Sequence, residues 1–185
     1  MSKTGKNKTG SWAGNLLILS GPPGSGKTTL AQMLAQQPGC SKVHLPADDF
    51  WHFIKQGTID PYLPEAHEQN KVVMQVLARA AEEYARGGYF VVLDGIIGPW
   101  FLPLFRILQV PLHYLVLRPP LALAIQRCQE RGGNTLTNPV VISALHQQFV
   151  ALGELERHVL PTAEQNPEEI RRIITTAINQ GTYRI

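Results

Sequence analysis

Residues 21–29 combine glycines, a lysine and hydroxyl side chains at a spacing that suits the binding of phosphate groups. The stretch reads Gly21, Pro22, Pro23, Gly24, Ser25, Gly26, Lys27, Thr28 and Thr29. Glycines let successive backbone N–H groups turn toward an anion without clashes from Cβ atoms, and the lysine adds a positive charge. We therefore expect this stretch to hold the phosphates of ATP.

The same stretch matches the P-loop pattern GxxxxGK(S/T), and its context fits that pattern. An apolar run, 15–20, precedes it, and a helical pattern begins at Lys27. We expect Lys27 to reach the β- and γ-phosphates, Thr28 to ligate Mg²⁺ through its hydroxyl, and Thr29 to contact the α-phosphate. The alternative is a glycine-rich turn that only joins a strand to a helix, and the strand and helix signals around the motif disfavour it.

Two carboxylates, Asp48 and Asp49, directly follow the predicted second strand. Phosphoryl transfer needs one carboxylate to accept the proton of the acceptor hydroxyl, and either acid could do so. The alternative role is N-capping of the helix that follows, and both roles can hold at once. Phe50 and Trp51 would then wall the acceptor pocket.

Asp94 ends the apolar run FVVLD and is followed by Gly95. At the end of a strand, its carboxylate could support Mg²⁺ or hold a substrate hydroxyl, or it could be a solvated turn residue. An ATPase motor would normally place a glutamate after this aspartate to activate water, and none is present. The sequence also lacks an NKxD-like guanine reader after the P-loop, which disfavours a GTP switch.

Arg127 and Arg131 lie four residues apart on a predicted helix, so they share a face. Glycines at 132 and 133 follow at once and could act as a hinge. Cations that close over the γ-phosphate would stabilise its charge and exclude water. The pair therefore predicts a catalytic lid, with a solvated basic helix face as the alternative.

Strand and helix patterns alternate along the chain and place these motifs at one sheet edge. Strands are predicted at 15–20, 43–46, 89–93, 113–117 and 158–162. Helices are predicted at 27–36, 66–86, 102–108, 139–152, after Pro120, and from Pro167. This pattern predicts an α/β, three-layer P-loop NTPase fold with a five-stranded parallel sheet, resembling nucleotide kinases, and ligands bind at the carboxyl ends of such strands.

Length and composition indicate one domain, 15–185, behind a disordered leader, 1–14. The net charge of +3 is matched by three lysines in the first ten residues, so the rest of the chain is nearly neutral. No apolar run is long enough for a membrane span or a signal peptide, and we expect a cytoplasmic protein. The oligomeric state is left open.

The combination of GPPGSGKTT, DDF after the second strand and RCQERG after the fourth resembles the small P-loop kinases grouped around chloramphenicol phosphotransferase, zeta toxin and polynucleotide kinase. The resemblance covers most of residues 15–180. It implies that Asp48 is the general base and that Arg131 and Arg127 are lid residues. Asp49 is not shared by every member of the group, so either acid could be the base.

The acceptor is expected to be a small hydroxylated molecule, resembling an antibiotic, a sugar or a nucleoside. The loop DGIIGPW places Ile96, Ile97 and Trp100 near the acceptor, with Asp49 and the aromatic residues 50–53 on the other side. A nearly neutral body disfavours nucleic acid as the acceptor, since phosphate backbones call for basic surfaces. Nucleoside monophosphate kinases rank lower because their P-loop usually reads GKGT. The alternative that is not an enzyme is an ATP-binding regulatory module.

Overall fold

A five-stranded, entirely parallel sheet organises the chain in the computed structural model, which describes residues 12–132, 136–163 and 166–185. The strand order is β2-β3-β1-β4-β5. The strands are β1 Leu16–Ser20, β2 Lys42–Pro46, β3 Phe90–Asp94, β4 Leu112–Arg118 and β5 Val159–Pro161. The predicted α/β fold with five parallel strands is thus confirmed.

Alternation along β1 explains why helices cover both faces of the sheet. Leu16 and Ile18 face one apolar core, and Leu17 and Leu19 face the other. Successive side chains of a strand point to opposite faces, so a continuous apolar run must be covered on both sides. The three layers follow directly from this sequence.

Seven α-helices connect or flank the strands in the described residues. They are α1 Lys27–Ala35, α2 Ala47–His52, α3 His67–Arg86, α4 Leu102–Arg106, α5 Leu121–Arg131, α6 Pro139–Gln147 and α7 Pro167–Gln180. The helix predicted at 139–152 ends five residues earlier, and a short 3-10 helix, Gly153–His158, follows it. None of the described helices is long and apolar enough to span a bilayer.

The start of α2 corrects the predicted capping role of the two acids. Pro46 is the N-cap residue, and no side chain caps the helix. Asp48 and Asp49 both lie in the first turn, where they face the positive end of the helix. The capping alternative is therefore wrong for both residues.

Trp12 extends the ordered domain toward the N-terminus. Its ring lies 4.9 Å from that of Phe90, and its Nε1 donates a hydrogen bond of 2.7 Å to Asn179 Oδ1. The structured domain therefore includes residues 12–14, which the sequence analysis assigned to the leader. The rest of the predicted leader, 1–11, lies outside the described residues.

A buried carboxylate, Glu82, ties α3 to the loop that follows α4. It accepts hydrogen bonds from the backbone N–H of Gln109 at 3.1 Å and from Arg79 at 3.1 Å, and it pairs with Arg86 at 2.9 Å. The bond from Gln109, together with the two arginines, lowers the pKa of Glu82. The carboxylate form thus stabilises the fold.

We predict that Glu82→Gln lowers the free energy of unfolding, while Glu83→Gln, at the exposed neighbouring position, changes it little. Since the pKa of Glu82 is lowered in the folded state, its contribution is present above the ordinary value of 4.5 and is lost as the pH falls through the folded-state value. Urea titrations across this pH range measure the difference. A Glu82→Gln deficit that does not shrink in acid would contradict the assignment.

Candidate active site

The P-loop lies in close backbone contact with its neighbours, and only glycine fits at its contact points. Gly24 has φ of 73°, and a Cβ there would lie 2.3 Å from the carbonyl oxygen of Ala124 in α5. A Cβ on Gly21 would lie 2.2 Å from the carbonyl oxygen of Leu117 in β4. These contacts hold the loop between β1 and α1 against β4 and α5.

Lys27, the first residue of α1, points back into this loop. Its Nζ donates to the Pro22 carbonyl at 2.9 Å and to Ser25 Oγ at 3.4 Å. Burial lowers the pKa of Lys27, while the carboxylates of Asp48 and Asp94 raise it. A partly buried cation among turned backbone N–H groups is the arrangement that binds phosphate.

Thr28 and Asp94 meet at the carboxyl edge of the sheet. Thr28 Oγ1 donates to Asp94 Oδ2 at 2.6 Å. Both are hard oxygen donors of the kind that bind Mg²⁺, so the residues present fit the predicted metal site. The structure thus brings together the two residues that the sequence analysis proposed for magnesium.

His44 is a site residue that the sequence analysis did not identify. Its Nε2 lies 2.5 Å from Asp94 Oδ1. β2 and β3 pair in register, with Pro46 opposite Asp94, so the His44 side chain reaches the acid from the neighbouring strand. A polar residue within the otherwise apolar strand segment VHL was the available signal.

The two acids of α2 occupy different environments. Asp48 lines the cavity between P-loop residues 23–28, α2 and α5, which we name the phosphate cavity. The residue is accessible to solvent, but the surrounding protein removes enough water from its carboxylate to raise the pKa, although the cation of Lys27 lowers it. The side chain of Asp49 is 60% exposed, and its Oδ1 lies 3.9 Å from His52 Nδ1, but Asp49 does not line that cavity. Between the two, Asp48 is the acid that lines the cavity at the P-loop.

Arg127 and Arg131 project from α5 beside the P-loop. Arg127 donates to the Gly24 carbonyl at 3.5 Å. Arg131 lines the phosphate cavity, whereas Arg127 lines only an adjoining cavity formed by the P-loop, α5 and α7. The segment 133–135, which includes part of the predicted hinge, lies outside the described residues.

The phosphate cavity measures about 290 Å³ and the adjoining cavity about 410 Å³. Both cavities share Gly24, Ser25, Gly26 and Arg131 in their walls. Thr29 lines the adjoining cavity and Thr28 lines the phosphate cavity. The two threonines thus contribute to different cavities, and their phosphate and metal roles stay predictions.

A third cavity of about 470 Å³, which we name the apolar cavity, lies beside α2 and next to the phosphate cavity. Trp51 and Trp100, two of the predicted acceptor residues, line it, and Ile96 and Leu136 line both this cavity and the phosphate cavity. Residues that the prediction did not include also contribute, namely Tyr62, Leu63, His67, Asn70 and Phe101. Phe101 directly follows the DGIIGPW loop and could have been included, whereas the other four lie far from the motifs along the sequence.

Ile97 does not line this cavity, which corrects its predicted role. Its side chain is fully buried in the core. Its backbone accepts hydrogen bonds from Ser20 at 2.7 Å and from Tyr114 at 2.8 Å. Ile96 lines the cavity instead, while Phe50 is half-buried against the core and Phe53 is 69% exposed.

Comparison with protein families gives a match over residues 16–152 to the family described as AAA domain. This range contains every motif discussed above. The resemblance to small P-loop kinases that the sequence motifs indicated is therefore confirmed at the level of the family. Comparison with curated protein sequences gives no match.

Several solved structures share the fold. The tunicamycin resistance protein of Deinococcus radiodurans has 15% identity and a TM-score of 0.68, covering 89% of this chain and 95% of that one. A sugar kinase from a Janibacter species has 20% identity and a TM-score of 0.63, covering 89% and 94%. The shikimate kinase of Acinetobacter baumannii has 18% identity and a TM-score of 0.58, covering 90% and 93%. At these identities the likeness establishes the fold.

We predict that Lys27→Ala weakens Mg-ATP binding about 10- to 100-fold, because charge-assisted hydrogen bonds to phosphate are lost. The free energy of unfolding should change little, because the Lys27 side chain contributes charge rather than packing. Isothermal titration calorimetry measures the affinity. Lys42→Ala is the matched control, because Lys42 also donates to backbone carbonyls but lies away from the P-loop. Equal affinities of Lys27→Ala and the native chain would refute the assignment.

Proposed function

This chain belongs to the AAA domain family, and from that premise we propose that it is an ATP-dependent kinase that transfers the γ-phosphoryl group to a hydroxyl of a small molecule. The observation that carries the proposal is that Ile96 and Leu136 line both the phosphate cavity and the apolar cavity. A second substrate in the apolar cavity would thus lie next to the phosphates. A hydrolase would need no such second cavity.

The transfer forms a bond between the acceptor oxygen and the γ-phosphorus and breaks the bond from that phosphorus to the β,γ-bridging oxygen. ADP is the leaving group. The proton of the acceptor hydroxyl goes to the carboxylate of Asp48, which lines the cavity on the side of Lys27. Asp49 does not line this cavity.

Lys27 and Arg131 supply positive charge to the phosphates, since both line the phosphate cavity. Thr28 and Asp94 would hold Mg²⁺ with their hard oxygen atoms, and bound Mg²⁺ would neutralise charge on the β- and γ-phosphates. His44 holds the Asp94 carboxylate from the other side. Arg127 is placed to contact the nucleotide from the adjoining cavity.

The apolar cavity supports a small-molecule acceptor over a nucleic acid. No lysine or arginine of the described residues lines it, whereas a phosphate backbone is bound through clustered cations. Its volume of about 470 Å³ lies within the range of small-molecule sites. The similar solved structures include a sugar kinase and a shikimate kinase, whose names indicate small acceptors.

Mass spectrometry tests the proposal directly. Protein, Mg-ATP and mixtures of alcohols, sugars, nucleosides and hydroxylated antibiotics should yield a product heavier by one phosphoryl group. ATP binding without any phosphorylated product would favour the non-catalytic regulatory module. Labelling of oligonucleotide ends alone would favour a polynucleotide kinase.

We predict that Asp48→Asn slows the transfer step about 10²- to 10⁴-fold while Mg-ATP affinity stays near that of the native chain. The reason is that the variant keeps the shape of the side chain but cannot accept the proton. Single-turnover assays measure the step. Asp49→Asn is the matched control and should have a small effect, since its side chain is 60% exposed. A comparable loss in Asp49→Asn would reassign the base.

The pH dependence of transfer offers a second prediction. Burial raises the pKa of Asp48, so the base becomes protonated at a higher pH than the ordinary 3.8. The transfer rate should fall as the pH decreases through this raised value, because only the carboxylate accepts a proton. Rate profiles of the native chain and of Asp48→Asn measure the effect. If the rate falls at the same pH and by the same factor in both proteins, Asp48 is excluded as the source of the pH dependence.

A further inference from the structure

We propose that the acceptor is an uncharged alcohol with an aromatic body, bound in the cavity formed by α2, α3, the 59–64 segment and the loop after β3. The inference rests on the proposed kinase function and narrows its substrate class. It excludes carboxylated acceptors and polyols as the preferred substrates. Four features of the cavity carry it, namely the composition of its walls, their rigidity, the small number of available polar groups and the lack of a lysine or arginine among the described residues that line it.

Aromatic and aliphatic side chains dominate the cavity walls. Rings come from three separate parts of the chain, and the aliphatic residues fill the gaps between them. The rings belong to Trp51, Tyr62, Trp100 and Phe101, and the aliphatic side chains to Leu63, Met74, Ile96, Leu136 and Leu145. Aromatic side chains favour stacked or edge-to-face contact with another ring, so an aromatic body gains the most from these walls.

The wall formed by residues 59–64 is fixed in place. Gln69 bonds both the N–H and the carbonyl of Ile59, at 2.9 and 2.7 Å. Asn70 donates to the Pro61 carbonyl at 2.8 Å and accepts from Trp51 Nε1 at 2.8 Å. The cavity is thus preformed on this side, and a rigid ligand can bind without the cost of ordering the loop.

Few polar groups remain for a ligand that carries many hydroxyls. Both ends of the Asn70 amide are already bonded to Pro61 and Trp51. The other polar side chains that line the cavity are those of Tyr62, His67 and Gln148. The Tyr62 hydroxyl already donates to Asp60 at 2.8 Å. A polyol would leave buried hydroxyls without partners, which weakens binding.

The lack of positive charge in the cavity walls disfavours anionic acceptors. No lysine or arginine among residues 12–132, 136–163 and 166–185 lines this cavity. The neighbouring phosphate cavity, which shares Ile96 and Leu136 with this one, contains the carboxylate of Asp48 and the cations of Lys27 and Arg131, and in the proposed kinase those cations are paired with the phosphates of ATP. A ligand carboxylate would be desolvated without a cationic partner and would lie near a like charge.

A matched ligand pair tests the charge argument. We expect para-(hydroxymethyl)benzamide to bind at least about tenfold more tightly than para-(hydroxymethyl)benzoate, which has nearly the same shape but a negative charge. Calorimetry at about pH 8, where histidine side chains carry little charge, uses the full chain with Mg²⁺ and a non-transferable ATP analogue. Glucose should bind more weakly than the benzamide. Equal affinities, or tighter binding of the benzoate or glucose, would overturn the inference.

Adding a cation to the wall should reverse the preference. Gln148 lines the cavity at the end of α6, whereas the adjacent exposed Gln147 does not. Gln148→Arg should bind the benzoate more tightly than the benzamide, and Gln147→Arg should keep the native preference. Reversal in both variants, or in neither, would show that the ligand binds elsewhere.

Ring contact is tested with the tryptophans. Trp100→Ala should weaken benzamide binding about tenfold through lost ring contact. Trp12→Phe should leave it unchanged, because Trp12 packs on Phe90 and Asn179 and does not line the cavity. Equal benzamide affinity in Trp100→Ala and the native chain would overturn the inference. Because these titrations involve no transfer, their failure is separate from a failure of kinase activity, which the Asp48→Asn assays decide.

Discussion

The geometry of the site depends on how the buried carboxylate of Asp94 is satisfied. Its side chain is only 4% exposed, and a buried charge without partners is strongly destabilising. Thr28 at the start of α1 and His44 in β2 each bond one of its oxygens. Asp94 thereby fixes the first turn of the P-loop helix relative to two strands, and the same bonds leave Thr28 and Asp94 adjacent at the phosphate cavity.

Close packing at Gly95 positions the start of α2, and with it Asp48, relative to Asp94. A Cβ on Gly95 would lie 2.5 Å from Ala47 Cβ, so the chain after Asp94 can approach the start of α2 only because residue 95 is glycine. Asp48 follows Ala47 directly and is thus held at the phosphate cavity. The Asp-Gly pair at the end of β3 therefore places two carboxylates, one beside Thr28 and the other beside Lys27.

The sequence predicted the features that depend on short, regular patterns, but not those that depend on packing between distant segments. The P-loop glycines, the five apolar strands and the parallel sheet all follow from local patterns and were predicted. The register of β2 against β3, which brings His44 to Asp94, was not, because register depends on pairing between segments far apart in sequence. The same limit explains why Ile97 was predicted to line the acceptor site together with Ile96, whereas only Ile96 lines the cavity. Both residues lie in the loop after β3, where no regular alternation predicts side-chain directions. The bonds of Ser20 and Tyr114 to the Ile97 carbonyl hold this part of the loop against the core.

The separation of charge between the two substrate cavities follows from the same arrangement. Lys27, Asp48 and Arg131 line the phosphate cavity, so two cations and one carboxylate are collected there. Ile96 and Leu136 line both this cavity and the apolar one, so in the proposed reaction the acceptor hydroxyl would approach the phosphates beside apolar side chains. Such a boundary limits the entry of water, which would otherwise compete with the hydroxyl for the phosphoryl group. In the proposed kinase, this apolar boundary would favour transfer to an alcohol over hydrolysis, and it would do so with residues that carry no chemistry of their own.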